Sequence, residues 1–338
     1  MSEALVVAVS GATGHLGGLL ARRLAAWPEL TELRTLGRRP MPDLFLREGT
    51  GTPGRRHREL RHHVHLQADV RSAQAKRFVA GCDLLYHLAA QVWVGSGKGA
   101  LEQMRQVNVE GTASLAAGAG ATVLASSVVV YGAWPDNPLP LTEDWPARPN
   151  PECGYALQKL AAEHACADVA PSWTAVRLSA VLGSHADVRV LRALAGYRVV
   201  VPSVLGCAQA LQWLHEQDAV EALVAAGANV LRKERTGLLV NAATADWLGA
   251  AEMASLAGSR VVAAPRRAVL AMSELGRRAR LSPFGADRAV LIGGPLAVSI
   301  DRAGTELGWR PRRSSREVLV EGLVGGWRQA PRNRLPAS

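Results

Sequence analysis

A glycine-rich turn near the N-terminus constrains the fold of this chain more than any other feature. The turn, Gly11-Ala-Thr-Gly14-His-Leu-Gly17, directly follows the short apolar run Leu5–Ser10 and opens a stretch with helical spacing, Leu16–Trp27. Glycines at these places permit a tight turn and a close approach of the backbone to a pyrophosphate, which then lies at the positive end of the helix. The turn therefore predicts a dinucleotide site. We expect the contacts to come from Gly11, Thr13, Gly14, His15, Leu16 and Gly17.

Short apolar segments alternate with helical segments along the first half of the chain. The further predicted strands are Glu32–Leu36, Val64–Ala68, Asp83–Ala89, Ala121–Ser126 and Trp173–Leu178. The predicted helices between them are Ala73–Ala80, Leu101–Ala117 and Tyr155–Val169. Apolar strands separated by helices indicate a parallel sheet that is covered on both faces. The predicted fold class is α/β, a doubly wound Rossmann parallel sheet with a smaller, mainly helical C-terminal substrate lobe.

The second half of the chain is less regular. Val220–Leu231 has helical spacing and Gly237–Asn241 resembles a further strand, whereas residues 247–298 are rich in Ala, Leu and Arg. We expect a dinucleotide-binding domain of residues 1–178 that residues 208–246 rejoin. Residues 179–207 and 247–331 are then the substrate-binding lobe. The polar, glycine-rich stretch 47–63 predicts an exposed loop.

Composition excludes several classes of protein. With 48% hydrophobic and 20% charged residues among 338, the chain is not disordered. The net charge of +10 comes from basic residues spread along the chain, of which only four are lysine, so we expect no nucleic-acid partner. Without an apolar run of about 20 residues, we expect no membrane partner. No secretory signal and no paired cysteines are evident, and a cytoplasmic location is expected.

Two arginines stand at the end of the second predicted strand, in Leu36-Gly37-Arg38-Arg39. In a doubly wound sheet this strand end faces the adenosine ribose. An acidic residue there accepts a hydrogen bond from the 2′-hydroxyl of NAD, whereas arginine pairs with the 2′-phosphate of NADP. Because residues 36–39 contain no Asp or Glu, the sequence favours NADP(H), bound by Arg38 and Arg39, with NAD(H) as the alternative.

A tyrosine and a lysine are spaced for acid–base chemistry. Tyr155 and Lys159 stand four residues apart in a predicted helix and so share a face. A nearby ammonium favours the phenolate and lowers the pKa of the tyrosine, which suits it to proton transfer near neutral pH. Ser127 follows the fifth strand, at the sheet edge where ligands bind in such folds. We therefore predict a catalytic set of Ser127, Tyr155 and Lys159.

Together these motifs resemble the extended short-chain dehydrogenase/reductase superfamily, in its epimerase/dehydratase-like branch. Further matches are Asp69-Val70, His87-Leu88-Ala89-Ala90, the segments 108–112 and 214–220, and the C-terminal 306–311. The resemblance implies that Tyr155 moves a proton, Lys159 holds the ribose and Ser127 polarises a carbonyl. It also implies a homodimer formed through the helices at 101–118 and 155–170. The cofactor contacts that it adds are Asp69, Val70, Leu88, Ala89, Ala90, Asn108, Tyr155 and Lys159.

Two departures from the family pattern bear on the substrate. Val128 and Val129 stand where sugar dehydratases of this branch have an Asp-Glu pair, so the acid and base for water elimination are missing. Ala180 stands where nucleotide-sugar enzymes usually have an Asn. Both departures favour an apolar or aromatic substrate. The expected lining is Trp93, Val128, Val129, Trp134, Ala180 and Leu182.

Three functions remain open on the sequence alone. The preferred one is an NADPH-dependent ketoreductase that transfers a hydride to a carbonyl of a small, aromatic or polyketide-like metabolite. The alternative is an NAD-dependent nucleotide-sugar epimerase, which needs the same Ser-Tyr-Lys set. A non-catalytic cofactor-sensing protein is disfavoured because Tyr155 and Lys159 are both present. His57, His62, His63 and His65 lack partner carboxylates, and no metal site is expected.

Overall fold

The computed structural model describes residues 4–41, 62–93, 99–186, 188–232, 236–282 and 284–329. The strands are β1 (Leu5–Ser10), β2 (Leu30–Gly37), β3 (His62–Gln67), β4 (Leu84–His87), β5 (Ala121–Ser127), β6 (Trp173–Leu178), β7 (Ala180–Leu182), β8 (Val200–Val204), β9 (Ala210–Leu211), β10 (Trp213–His215), β11 (Leu238–Ala242), β12 (Arg260–Ala264) and β13 (Pro295–Leu296).

The helices are α1 (His15–Ala25), α2 (Ala73–Val79), α3 (Ala100–Arg105), α4 (Gly111–Ala116), α5 (Gly154–Val169), α6 (Val188–Tyr197), α7 (Glu216–Leu231), α8 (Ala250–Ala257), α9 (Arg266–Arg278), α10 (Ala286–Ala289), α11 (Asp301–Leu307) and α12 (Ser315–Gln329). A π-helical turn, Gln106–Glu110, joins α3 to α4. Short 3₁₀ turns cover Val128–Tyr131 and Val290–Ile292.

Seven strands form one parallel sheet in the order β11-β6-β5-β4-β1-β2-β3. The chain order reverses beside β1, which pairs with β2 on one side and β4 on the other. Ligands of doubly wound sheets bind at such a reversal, outside the carboxyl ends of the strands. The turn after β1 and the segment after β4 therefore lie at the predicted ligand crevice, and the Rossmann fold class is confirmed.

Apolar side chains cover both faces of the sheet. One face packs against α1 and α7 through residues such as Val9, Leu20 and Leu223, and the other packs Leu85 and Leu115 into a separate cluster. A further cluster joins elements of the C-terminal part. Its fully buried members include Leu182, Val201, Met253 and Leu319.

All seven strands predicted in the sequence occur in the sheet, and Leu5–Ser10 and Trp173–Leu178 have the predicted bounds. The pattern missed three short parallel pairs, β7–β10, β8–β12 and β9–β13, because strands of two to five residues leave little periodicity. Most of the loop predicted at 47–63 lies outside the described residues. Within the described residues, no helix combines the length and apolar character needed to span a bilayer.

Candidate cofactor and catalytic site

The turn between β1 and α1 is packed so closely that it requires glycine. Gly11 has φ +74°, and a Cβ there would lie 2.7 Å from the amide nitrogen of Ala89. A Cβ on Gly17 would lie 2.1 Å from the carbonyl oxygen of Gly11. No side chain caps α1 at Gly14 and its first turn has no acidic residue. The amide groups of this turn therefore suit an anionic ligand, and the turn fits a pyrophosphate.

At the end of β2 the arginines predicted to select the cofactor are both exposed. The Arg39 guanidinium donates to the carbonyl oxygen of Thr13, which ties the strand end to the glycine turn. The Gln67 amide donates to the Arg38 carbonyl at 3.1 Å. Asp69 pairs with Arg71 at 2.8 Å, and the hydrogen bond from Arg71 lowers the Asp69 pKa, with a smaller contribution from Arg38. A cluster of cationic side chains thus surrounds the expected adenosine end.

The segment after β4 is held by buried polar side chains. His87 Nδ1 lies 2.7 Å from the Ser10 hydroxyl, and burial together with nearby Lys159 lowers the His87 pKa to about 3, so the ring stays neutral. Asn108, in the π-helical turn, accepts from the Gln91 amide at 2.7 Å and donates to the Gln91 carbonyl at 3.0 Å. These bonds fix the chain just after Leu88, Ala89 and Ala90, the predicted cofactor contacts.

Other predicted cofactor contacts have packing roles. Leu16 is half-buried against the main core, and Val70 is buried against Gly111, where a Cβ would lie 2.8 Å from a Val70 methyl. The His15 side chain reaches Glu216 with Nε2 2.6 Å from Oε2.

Tyr155 and Lys159 share one face of α5, with Lys159 Nζ 5.8 Å from the centre of the Tyr155 ring. Lys159 is buried and donates to the Ala125 carbonyl at 2.7 Å, and this burial lowers its pKa to about 8. Ser127 ends β5, and its hydroxyl accepts a weak hydrogen bond from the Val129 amide at 3.5 Å. The predicted catalytic residues are therefore adjacent to the carboxyl edge of the sheet.

The effect expected of Lys159 on Tyr155 needs correction. Burial raises the Tyr155 pKa to about 12, and the cation that acts against this increase is Arg288, not Lys159. Desolvation of the phenol outweighs an ammonium that lies alongside the ring and is itself bonded to a backbone carbonyl.

Arg288, which the sequence does not single out, lies over Tyr155, the predicted catalytic tyrosine. Its guanidinium carbon is 4.8 Å from the Tyr155 ring centre and 5.0 Å from that of Trp93. It donates to the Val92 carbonyl, whereas its Nε is buried without a hydrogen bond in the described residues and lies 3.7 Å from Asp287. Trp93 stacks on Phe284, with ring centres 5.6 Å apart. One arginine in an arginine-rich chain carried no signal in the sequence.

Several residues expected to line a substrate pocket pack elsewhere. Val128 and Leu182 are buried in two apolar clusters. Val129 is half-buried and packs both against the cluster of Val128 and in the cluster that includes Tyr155. Trp134 donates its indole N–H to the Arg148 carbonyl at 2.5 Å. Val128 and Leu182 are core residues because their neighbours leave almost none of their surface exposed. Ala180 is exposed on β7. Two of the predicted lining residues lie near Tyr155: Trp93 through Arg288, and Val129 in the same apolar cluster.

Histidines of β3 form hydrogen bonds, not a metal cluster. His63 Nε2 and His65 Nδ1 lie 2.9 Å and 3.0 Å from the Thr35 hydroxyl. In the described part of the chain, no group of three or more His, Cys, Asp or Glu residues is arranged to hold a metal ion. His57 lies outside the described residues.

Fold and site together define a Rossmann-type protein with a dinucleotide turn and a Ser-Tyr-Lys arrangement. The model of the NAD dependent epimerase/dehydratase family matches residues 7–241. The chain belongs to this family, as its motifs predicted, and the family supports an NAD-dependent enzyme.

Relatives and solved structures agree with this assignment over most of the chain. Protein y4nG of Sinorhizobium fredii is 27% identical over 345 residues, covering 97% of this chain and 79% of the relative. The structure of MoeE5 in complex with UDP-glucuronic acid and NAD is 23% identical, with a TM-score of 0.69, and the match covers 96% of this chain and 99% of MoeE5. UDP-glucuronic acid 4-epimerase from Bacillus cereus is 17% identical, with a TM-score of 0.68, and the match covers 96% of this chain and 100% of the epimerase. At these identities the solved structures establish the fold.

Proposed function

We propose that this protein is a nucleotide-sugar epimerase that oxidises and re-reduces a carbinol carbon of an anionic sugar substrate. The observation that carries the proposal is the position of Arg288, whose guanidinium lies 4.8 Å from the Tyr155 ring centre. A cation beside the proton-transferring group selects for an anionic group close to the reacting carbon. This proposal reverses the preference drawn from the sequence, which favoured a ketoreductase.

Arg288 favours an anionic substrate because its guanidinium is poorly solvated. Its side chain is 14% exposed, and its Nε has no hydrogen bond in the described residues. Asp287 approaches this atom only to 3.7 Å, beyond hydrogen-bonding distance. A poorly solvated guanidinium that lacks a strong acceptor gains most from a phosphate or carboxylate, which it binds through two parallel hydrogen bonds. A neutral aromatic ketone would leave this charge with only the Val92 carbonyl and the distant Asp287 carboxylate as partners.

The other residues of the site have distinct roles in the proposed reaction. Tyr155 takes the hydroxyl proton as the carbinol is oxidised and returns it when the ketone is reduced on its other face. Ser127 hydrogen-bonds the same oxygen, and Lys159 holds a positive charge near the phenol. A bound nicotinamide would accept the hydride when the carbinol is oxidised and, being then reduced, would return it to the ketone. Val128 and Val129 offer no acid or base for water elimination, so the proposal excludes dehydration.

The similar solved structures support this substrate class. MoeE5 forms a complex with UDP-glucuronic acid and NAD, and the Bacillus cereus protein is a UDP-glucuronic acid 4-epimerase in complex with its sugar nucleotide and NAD. The same complexes support NAD as the cofactor.

The test is epimerisation of UDP-sugars. The purified protein, loaded with NAD, is incubated with UDP-glucose, UDP-galactose and UDP-glucuronic acid, and proton NMR follows the appearance of the C4 epimer. We expect turnover of at least one substrate, abolition by Tyr155→Phe and an increase in KM with Arg288→Gln. Arg266→Gln is the matched control, since Arg266 lies on α9 and its guanidinium pairs with Glu152 at 2.6 Å. Failure of every UDP-sugar to bind or react would overturn the proposal.

A second candidate, the NADPH-dependent ketoreductase, is favoured by specific observations. Arg38 and Arg39 are exposed at the end of β2, and neither Asp nor Glu occurs at residues 36–39. Ala180 also offers no amide to a sugar diphosphate. Oxidation of NADPH with a panel of aromatic and aliphatic ketones tests this candidate. Turnover of the panel without epimerisation of a UDP-sugar would favour it over the epimerase.

A further inference from the structure

Glu216 is a buried carboxylate that connects the dinucleotide turn to a loop on the substrate side. It is the first residue of α7, and its side chain is 4% exposed. Its Oε2 lies 2.6 Å from His15 Nε2 and accepts the His185 backbone N–H at 3.2 Å. Its Oε1 accepts from His185 Nδ1 at 2.9 Å and from the Ser184 hydroxyl at 3.1 Å. One carboxylate thus receives four hydrogen bonds from two separate segments.

Strand register explains why these segments meet. β7 and β10 are parallel, with Leu182 opposite His215, so the residues that follow them, Gly183 and Glu216, are neighbours. A Cβ on Gly183 would lie 2.1 Å from the Glu216 carboxyl carbon, so only glycine fits there. The segment 183–186, here called the clamp loop, begins five residues after β6 ends at the carboxyl edge of the sheet. Ligands of such sheets bind at that edge.

Electrostatics keep this carboxylate charged. Burial alone would raise the Glu216 pKa, but the hydrogen bonds from His15 and His185 outweigh it and lower the pKa to about 2. The N-terminal end of α7 also favours an anion at its first residue. A buried charge that loses its hydrogen bonds is strongly destabilised, so the clamp loop and His15 are held through the same group.

We propose that Glu216 is a positioning residue through which a dinucleotide bound at the Gly11–Gly17 turn orders the clamp loop for the second substrate. His15 is the first residue of α1 and directly follows Gly14, the middle glycine of the pyrophosphate turn. A ligand that fixes this turn also fixes the His15 ring, which is bonded to the Glu216 carboxylate. The same carboxylate holds Ser184 and His185. Because His185 Nδ1 is bonded to Glu216 and the ring is 56% exposed, Nε2 is the atom available to the substrate.

This inference rests on the proposed function only in assigning a substrate to the clamp loop. Coupling between the two sites predicts that dinucleotide and substrate raise each other's affinity by the same factor, typically about 5- to 150-fold. It also predicts a response of the clamp loop to the dinucleotide alone, which is measurable without any turnover.

Hydrogen-exchange mass spectrometry of the peptide spanning residues 180–190 is the decisive experiment. The full-length protein is compared without ligand and at saturating NAD or NADP, with saturation established for each variant by calorimetry. In the wild type we expect the dinucleotide to slow exchange of the Ser184 and His185 amides by at least about fivefold. In Glu216→Gln we expect this protection to be lost, and in His185→Ala, which removes one of the four hydrogen bonds, we expect it to be reduced, although the dinucleotide still binds to both variants.

Glu221→Gln is the matched control. Glu221 lies on the same helix and also bridges to α1, pairing with Arg23 at 2.7 Å. Both side chains are partly exposed, and the hydrogen bonds of the Glu221 carboxylate in the described residues go to Arg23, not to the clamp loop. This variant should retain full protection. If Glu216→Gln fails to fold, His185→Ala carries the test, because its side chain is mostly exposed.

Undiminished protection in His185→Ala and in any folded Glu216→Gln protein, or its absence in the wild type, would overturn the inference. The proposed function fails separately, because a protein that epimerises no UDP-sugar still reports the response of the clamp loop to NAD. With an active UDP-sugar, Glu216→Gln should raise KM at least about fivefold and leave kcat nearly unchanged.

Discussion

Glu163 and Arg177 form a bidentate ion pair beneath the catalytic helix, with Oε2 2.7 Å from Nη2 and Oε1 3.0 Å from Nε. Both side chains are 4% exposed. Glu163 follows Lys159 by one turn of α5, and Arg177 lies on β6, so the pair ties the catalytic helix to the sheet. The Ser126 hydroxyl also donates to Glu163, and the Arg177 guanidinium lies 4.8 Å from the Tyr131 ring centre.

Removal of one partner of this ion pair should destabilise the protein strongly. Glu163→Ala leaves the Arg177 guanidinium buried and without its carboxylate, and loss of one partner of such a pair typically costs about 3–5 kcal/mol. Urea unfolding, followed by circular dichroism, measures the free energy of unfolding. Glu221→Ala, which breaks the partly exposed pair with Arg23, should lose less than about 1 kcal/mol. Similar losses in the two variants would contradict this prediction.

The predicted catalytic residues can be found from the sequence, whereas the contacts of Arg288 and Glu216 cannot. Tyr155 and Lys159 lie four residues apart on one helix, and the glycine turn lies between a strand and a helix, so local spacing is sufficient to find both. Arg288 reaches Tyr155, and Glu216 reaches His15, only through tertiary packing. Periodicity carries no information on such pairs. The same limit explains why Leu182 and Val128, apolar residues near the site in sequence, were placed in the pocket and not in the core.

Tyr155→Phe should remove most turnover and leave dinucleotide binding nearly intact. The phenol supplies the proton, and general acid–base catalysis typically contributes about 10²–10⁴-fold to the rate. The ring packs in a cluster with Cys153 and Ala156, and phenylalanine preserves that packing. Steady-state kinetics give kcat, and calorimetry gives the Kd of NAD and NADP. If more than about a tenth of kcat remains, another group supplies the proton.

If the protein is the ketoreductase of the second candidate, Arg38→Ala should weaken binding of NADP(H) and leave binding of NAD(H) nearly unchanged. Arg38 is exposed, and residues 36–39 contain neither Asp nor Glu to bind the ribose hydroxyl, so the 2′-phosphate is the expected partner of Arg38. Because water screens an exposed arginine, we expect a loss of about tenfold in NADPH affinity, near the lower end of charge-assisted hydrogen bonds. Calorimetric Kd values of both cofactors in both proteins provide the measurement. Arg22→Ala, a change on α1 away from the strand end, is the control. Equal affinity of the wild type for NADH and NADPH would refute the assignment of Arg38.

Activity should fall as the pH rises through about 8, the pKa to which burial lowers Lys159 from its ordinary 10.5. Deprotonation removes the ammonium that the family resemblance assigns to holding the cofactor ribose, and kcat/KM then declines. The stability contribution of the same lysine has the opposite sign. Between pH 8 and 10.5 the unfolded chain holds the proton more tightly than the folded one, so deprotonation in the fold relieves the burial penalty and this contribution rises with pH.

This opposition separates a catalytic effect of Lys159 from alkaline unfolding. Between pH 7.5 and about 9.5 we expect kcat/KM to decrease at least about tenfold. Over the same range the contribution of Lys159 to the free energy of unfolding should increase. The highest pH used, about 9.5, stays below 10, the ordinary pKa of tyrosine. Burial raises the Tyr155 pKa to about 12, so above pH 10 the unfolded chain loses this proton first and the stabilising contribution of Tyr155 declines. Lys159→Arg keeps its charge throughout this range and should lose the alkaline decline in kcat/KM. A wild-type profile that stays flat to pH 9.5, or an unchanged decline in Lys159→Arg, would assign the titration to another group.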